Sequence, residues 1–129
     1  MSDKLLLDTC ALLWLTTGEQ VLSLKAIQAI KSASVVYVSP ISAWEISLKF
    51  SKQEIALPEP PLEWFYKIVK EHNLKILPLT VEILIKTNEL PWHHRDPADR
   101  MTIAGTMLNG LTIVTRDRLF QDYDVPIIG

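Results

Sequence analysis

Short apolar runs recur along this chain, separated by stretches long enough for one or two helices. That alternation restricts the fold more than any other feature. Lys4-Leu-Leu-Leu-Asp8 is such a run, ends in a carboxylate and reads as a buried strand. Val35-Val-Tyr-Val38 is β-branched and aromatic and reads as the second. Leu74–Leu77, broken by Pro78, is the third, with Leu111–Thr115 and Val125–Ile128 as the fourth and fifth. Between them lie helical segments. Thr9–Leu15 has helical character and stops near Gly18, and Ser23 is placed to cap a helix through Lys31. Ser39-Pro40 opens a helix to about Lys52. After the stiff Leu57-Pro-Glu-Pro-Pro61, Leu62–His72 is amphipathic, with Leu62, Phe65, Ile68 and Val69 along one side. Thr80 caps a helix to about Leu90, Pro91–Pro97 is a loop, and a further helix stops at Asn109-Gly110. Arg118–Asp122 is a helical turn at most. Strands alternating with helices predict an α/β fold with a mainly parallel sheet of about five short strands.

The length of 129 residues and a 48% hydrophobic content suit one domain, residues 1–129, with a proper core. The single cysteine, Cys10, excludes an internal disulfide framework and a cysteine-based zinc cluster. It fits a reducing cytosol, and one turn into a helix it reads as packing rather than as a nucleophile. The apolar run after Met1-Ser-Asp-Lys4 is far too short for a signal peptide or a membrane span, so a cytoplasmic protein is expected. A net charge of −2 gives no broad basic surface. The distribution is more telling: all four arginines, Arg95, Arg100, Arg116 and Arg118, share a stretch with several acids.

In an open parallel sheet, ligands bind at the carboxyl ends of the strands, near the switch in strand order. Asp8 ends the first run and Asp117 lies two residues past the fourth, so both belong to one edge. Either is otherwise a turn or capping residue. Glu45 stands on the apolar side of an Ile41, Trp44, Leu48 stripe, where a bare carboxylate is costly. The alternatives for it are an ion pair with Lys49 or a solvated boundary position. Asp96 and Pro97 read as N-cap and first residue of a helix, with Asp99 as an acid favoured in its first turn. Asp99 also lies one turn before Ile103, on a side facing the body of the protein. Carboxylates that converge without lysine partners generally bind a hard divalent cation, and oxygen ligands favour Mg²⁺ or Mn²⁺.

The segments carrying these acids resemble a known family. Leu5-Leu-Leu-Asp8-Thr9-Cys-Ala-Leu-Leu-Trp14 looks like the opening motif of PIN-domain proteins. Ser39-Pro-Ile-Ser-Ala-Trp-Glu45-Ile looks like the second, His94-Arg-Asp-Pro-Ala-Asp99-Arg-Met-Thr-Ile-Ala104 like the third, and Thr112-Ile-Val-Thr115-Arg-Asp117 like the fourth. Ala98 departs mildly from the third, which commonly carries a bulky residue there. The most similar group is the VapC-like toxins of bacterial toxin–antitoxin pairs. The resemblance implies a PIN-like three-layer sandwich and Mg²⁺- or Mn²⁺-dependent cleavage of RNA. It implies catalytic and metal-holding roles for Asp8, Glu45, Asp99 and Asp117, with Thr9, Thr115 and Asp96 in support. It further implies a homodimer and a small cognate antitoxin that covers the site.

Arg100 and Arg116 are candidates for RNA phosphate contact, or for pairing with the acids. His93 and His94 read as structural or RNA-proximal rather than as ligands or bases. Trp14, Trp44, Trp64 and Trp92 read as core or interface anchors, and the Leu62–Val69 stripe as a dimer or antitoxin surface or plain packing. Rival classes are a phosphoaspartate receiver or phosphatase and a silent RNA-binding module of the same fold. The phosphatase needs a second Asp where Cys10 stands, the receiver a lysine near the last strand. The silent module would lack acids that are all present here.

Overall fold

The computed structural model describes residues 3–18 and 21–129; Met1 and Ser2, which open the segment read for a leader, lie outside them. Strands β1 (Lys4–Leu7), β2 (Val35–Val38), β3 (Lys75–Ile76), β4 (Thr112–Val114) and β5 (Ile127–Ile128) form one sheet in the order β3-β2-β1-β4-β5. Every neighbouring pair is parallel. Parallel neighbours need long crossovers, and helices supply most of them. Helices α1 (Thr9–Thr17) and α2 (Leu24–Ser32) join β1 to β2. Helices α3 (Pro40–Ser51) and α4 (Pro61–Glu71) join β2 to β3, and α5 (Val81–Glu89) and α6 (Pro97–Asn109) join β3 to β4. A 3₁₀ turn, Arg118–Asp122, lies between β4 and β5. Among the described residues no helix is long and apolar enough to cross a membrane.

Strand β1 shows how the layers form. Its side chains alternate, so Leu5 and Leu7 pack with α1 to α4 while Leu6 packs on the other face with α5, α6 and the 3₁₀ turn. Asp8 belongs to the helix rather than the strand: it is the N-cap of α1, its side chain accepting from Ala11 N. Gly18 (φ 72°) and Gly110 (φ 62°) end α1 and α6 in left-handed backbone, which glycine adopts without strain. The edge strands are shorter than the apolar runs suggest. Pro78 and Pro126 have no N–H to give the ladder, which limits pairing beside them.

The apolar stripe of α3 faces differently from expectation, and that of α4 departs from it only at Leu62. On α3, Trp44 is 57% exposed and Leu48 is exposed, while Ser42 and Ile46 are buried. On α4, Phe65 and Ile68 are buried and Val69 packs against the core as the stripe predicts, joined by Trp64, while Leu62 is 70% exposed. Trp64 is thus a core residue and Trp14 a partly buried one, whereas Trp44 and Trp92 lie outside the core.

Arg100 is 1% exposed, which overturns its assignment as an RNA contact. It does not pair with the acids either. Its Nη1 donates to Pro91 O (2.9 Å), His94 O (3.0 Å) and Tyr123 Oη (3.3 Å), and its Nη2 to Thr87 O (2.8 Å) and Leu90 O (3.0 Å). Several of these carbonyls end α5, the negative pole of that helix, so carbonyl dipoles take the place of a counter-ion. Trp92 covers the guanidinium, its ring centroid 3.6 Å from Cζ. The α5–α6 loop is therefore wrapped around one buried cation. Arg100→Met leaves those carbonyls unpaired and should cost about 3 kcal/mol or more in urea unfolding, with Arg100→Lys recovering only part. A loss below about 1 kcal/mol would remove Arg100 from this role.

Candidate metal centre

Strand order reverses between β1 and β4, and the crevice at their carboxyl ends is where such sheets bind ligands. Thr115, buried at the end of β4, closes it: its hydroxyl donates to Asp8 Oδ2 at 2.5 Å and accepts from Asp117 N at 3.0 Å. The other Asp8 oxygen accepts from Ala11 N at 2.7 Å. A single hydroxyl therefore holds residues from two strands in register.

Helix α3 brings Glu45 to the same place. Thr9 Oγ1 donates to Glu45 Oε1 at 2.5 Å and lies 2.8 Å from Ser42 Oγ. With its one proton committed to Glu45, Thr9 accepts from Ser42. Ser42 and Glu45 are three apart on α3 and so share the face turned to α1. That face, not the outward Ile41, Trp44, Leu48 stripe, positions the carboxylate. Among the described residues there is no Glu45–Lys49 ion pair, nor any lysine or arginine within salt-bridge distance of Asp8, Glu45, Asp99 or Asp117.

Asp96 caps α6, its Oδ1 accepting from Ala98 N (2.9 Å) and Asp99 N (3.4 Å). Asp99 sits in the first turn of that helix, and its Oδ2 is 3.0 Å from His94 Nε2. Asp117 Oδ2 is also 3.0 Å from His94 Nε2, while its Oδ1 accepts from Leu119 N at 2.9 Å. His94 is buried, and the sequence reading left it outside the acidic cluster. Adjacent histidines on a loop give no signal of which one turns inward. His93 turns outward and meets the Tyr123 ring edge-on.

The acids feel one another. Burial pushes the Asp8 carboxyl above its usual range against the Thr115 and Ala11 hydrogen bonds, and Asp117 and Glu45 raise it further. Burial pushes Asp99 up to about 7, with Asp96, Glu45 and Asp8 adding to the rise and His94 opposing it. The His94, Asp99 and Asp117 ligand atoms lie within 4.8 Å of one another. An oxygen-rich, electrostatically unsatisfied cluster of this size fits a hard divalent cation.

Two other expectations change. Cys10 is exposed rather than packed, and partial burial of its thiol together with the Asp8 charge pushes its pKa up, away from nucleophile character. Arg116 is exposed and donates to Val21 O rather than to an acid.

The raised Asp99 has a consequence for stability. Between about pH 4 and 7 the folded protein keeps a proton that the unfolded chain has released, so stability from this group falls as pH rises through that interval. Without metal, the Tm should be lower at pH 8 than at pH 5, and Asp99→Asn should flatten that part of the profile. An unchanged slope in the Asn variant would assign the effect elsewhere.

A model of the PIN domain family matches residues 5–126. The chain is 31% identical over 122 residues to Ribonuclease VapC22 of Mycobacterium tuberculosis, covering 94% of this chain and 92% of that protein. Among solved structures it is similar to VapBC2 from Rickettsia felis bound to a promoter DNA fragment, with TM-score 0.73, 12% identity and 97% of each chain covered. It is similar too to DNA-bound VapBC from Salmonella typhimurium, with TM-score 0.72, 19% identity, and 99% and 98% of the two chains covered. At these identities the solved structures establish the fold, and the family match with the VapC22 relative establishes the rest: this chain is a VapC-like member of the PIN-domain family.

Proposed function

We propose that this protein is a divalent-metal-dependent endoribonuclease, the toxin of a toxin–antitoxin pair, built as a single domain over residues 1–129. The observation that carries the reading is the meeting of Asp8, Glu45, Asp99 and Asp117 at the switch point of the sheet without a lysine or arginine partner among the described residues. Those four would hold Mg²⁺ or Mn²⁺. Bound there, the cation supplies polarisation of an RNA phosphate and acidification of a water.

The chain's own residues supply the rest. Thr115 and Thr9 aim Asp8 and Glu45 through one hydroxyl each. Asp96 fixes the first turn of α6, from which Asp99 projects. Arg116 is exposed beside Asp117 and is the remaining arginine of the original pair for phosphate contact. Lys49 and Arg95 line a groove with Trp44 that runs past Glu45 and Asp96, and would offer further cations to an RNA strand lying there. A solved structure of similar fold, with TM-score 0.67 and 18% identity, is a toxin–antitoxin complex from Klebsiella pneumoniae, which supports a cognate antitoxin here. The groove formed by Trp44, Leu62 and Tyr66 offers an apolar surface for that partner or for a second copy.

Asp8→Asn should lower Mn²⁺-dependent cleavage of single-stranded RNA by at least about 100-fold while leaving the fold intact. Undiminished cleavage would sink the role given to Asp8. Mn²⁺ at about 100 times its Kd should stabilise the wild type by about 2.7 kcal/mol, read as a rise in Tm. RNA binding without turnover at any metal concentration would instead favour the silent module.

A further inference from the structure

His94 stands where a third ligand would be looked for, beside two carboxylates. The other side of its ring argues otherwise. Nδ1 accepts the backbone N–H of Asp96 at 3.2 Å, so Nδ1 carries no proton and Nε2 must carry it. The Nε2–H then points at Asp99 Oδ2 and Asp117 Oδ2, each 3.0 Å away. A nitrogen that carries a proton has no lone pair in the ring plane to give a cation.

We propose that His94 is a positioning residue of the metal centre and not one of its ligands: one N–H shared between Asp99 and Asp117 holds these carboxylates together. This rests on the cation-binding reading above. The two acids come from different elements, α6 and the segment after β4, and the His94 side chain reaches both. Its own place is fixed on every side. The His94 N–H donates to Tyr123 Oη (2.9 Å), its carbonyl accepts from Arg100 Nη1 (3.0 Å), and its ring meets Phe120 edge-on at 5.7 Å. Tyr123 Oη in turn donates to Pro91 O at 2.6 Å. The buried Arg100 thus acts on the acids at one remove, by fixing the loop that carries the imidazole. Such outer contacts generally orient ligands and are worth about 10–100-fold in metal affinity.

Two measurements without RNA test this. Nitrogen-15 NMR of the imidazole in the wild type should find the proton on Nε2 in the metal-free protein and still there with saturating Mg²⁺. Calorimetric Mn²⁺ titration should find His94→Ala weakened by about 10–100-fold and His94→Gln, which keeps an N–H donor at similar reach, within about threefold of wild type. A proton on Nδ1, or its loss from Nε2 on adding Mg²⁺ with Gln as weak as Ala, would make His94 a ligand and overturn the proposal. An Ala variant that binds Mn²⁺ as tightly as wild type overturns it as well, and a wild type that binds no Mn²⁺ removes both this role and the cation reading. Protein that gives the expected NMR and titration results yet cleaves no RNA upholds the role of His94 and refutes the ribonuclease reading alone.

Discussion

Like charges gathered at one sheet edge repel, and the rest of this structure is arranged around holding them there. No lysine or arginine among the described residues neutralises Asp8, Glu45, Asp99 or Asp117. Neutral donors are used instead, each with a single proton to give: the Thr115 hydroxyl to Asp8, the Thr9 hydroxyl to Glu45, the His94 imidazole to Asp99 and Asp117. A neutral donor orients a carboxylate without cancelling its charge. Burial first, and the neighbouring carboxylates after it, raise the proton affinity of Asp8 and Asp99, and that unsatisfied charge is what a divalent cation would relieve.

One full positive charge near this region, that of Arg100, is placed behind the site rather than in it. Arg100 is buried one residue after Asp99, yet its guanidinium points to the carbonyls that end α5 and begin the loop. A cation in that position stabilises the scaffold through backbone dipoles while leaving the carboxylates unpaired. Division of labour of this kind lets a stable loop carry an electrostatically unfavourable site.

The fold was largely legible because its signals are local. Uninterrupted apolar runs mark the central strands, and Ser23, Ser39, Thr80 and Asp96 all cap helices as their side chains suggest. The positions of Asp8 and Asp117 follow from strand ends in the same way. Glu45 is instructive in a different sense. The stripe invoked for it faces solvent, and the residue reaches the cluster through the Ser42 face instead, which depends on how closely α1 and α3 approach. His94 and Arg100 were not legible. Their partners are backbone carbonyls, a backbone N–H and side chains up to 29 residues away, and no residue pattern announces such contacts. An arginine beside acids in sequence looks like a phosphate contact, and burial alone reverses that.

The Thr115–Asp8 hydrogen bond spans 107 positions of the chain. Order of synthesis gives this span a meaning. A ribosome releases Asp8 first and the hydroxyl that orients it 107 residues later, with Asp117 two residues after that. Until then a nascent chain holds β1, β2 and β3 but lacks β4, the strand that completes the crevice. The cluster is therefore absent from every nascent chain that stops before β4, and whatever chemistry it performs waits until that strand and Asp117 have been made.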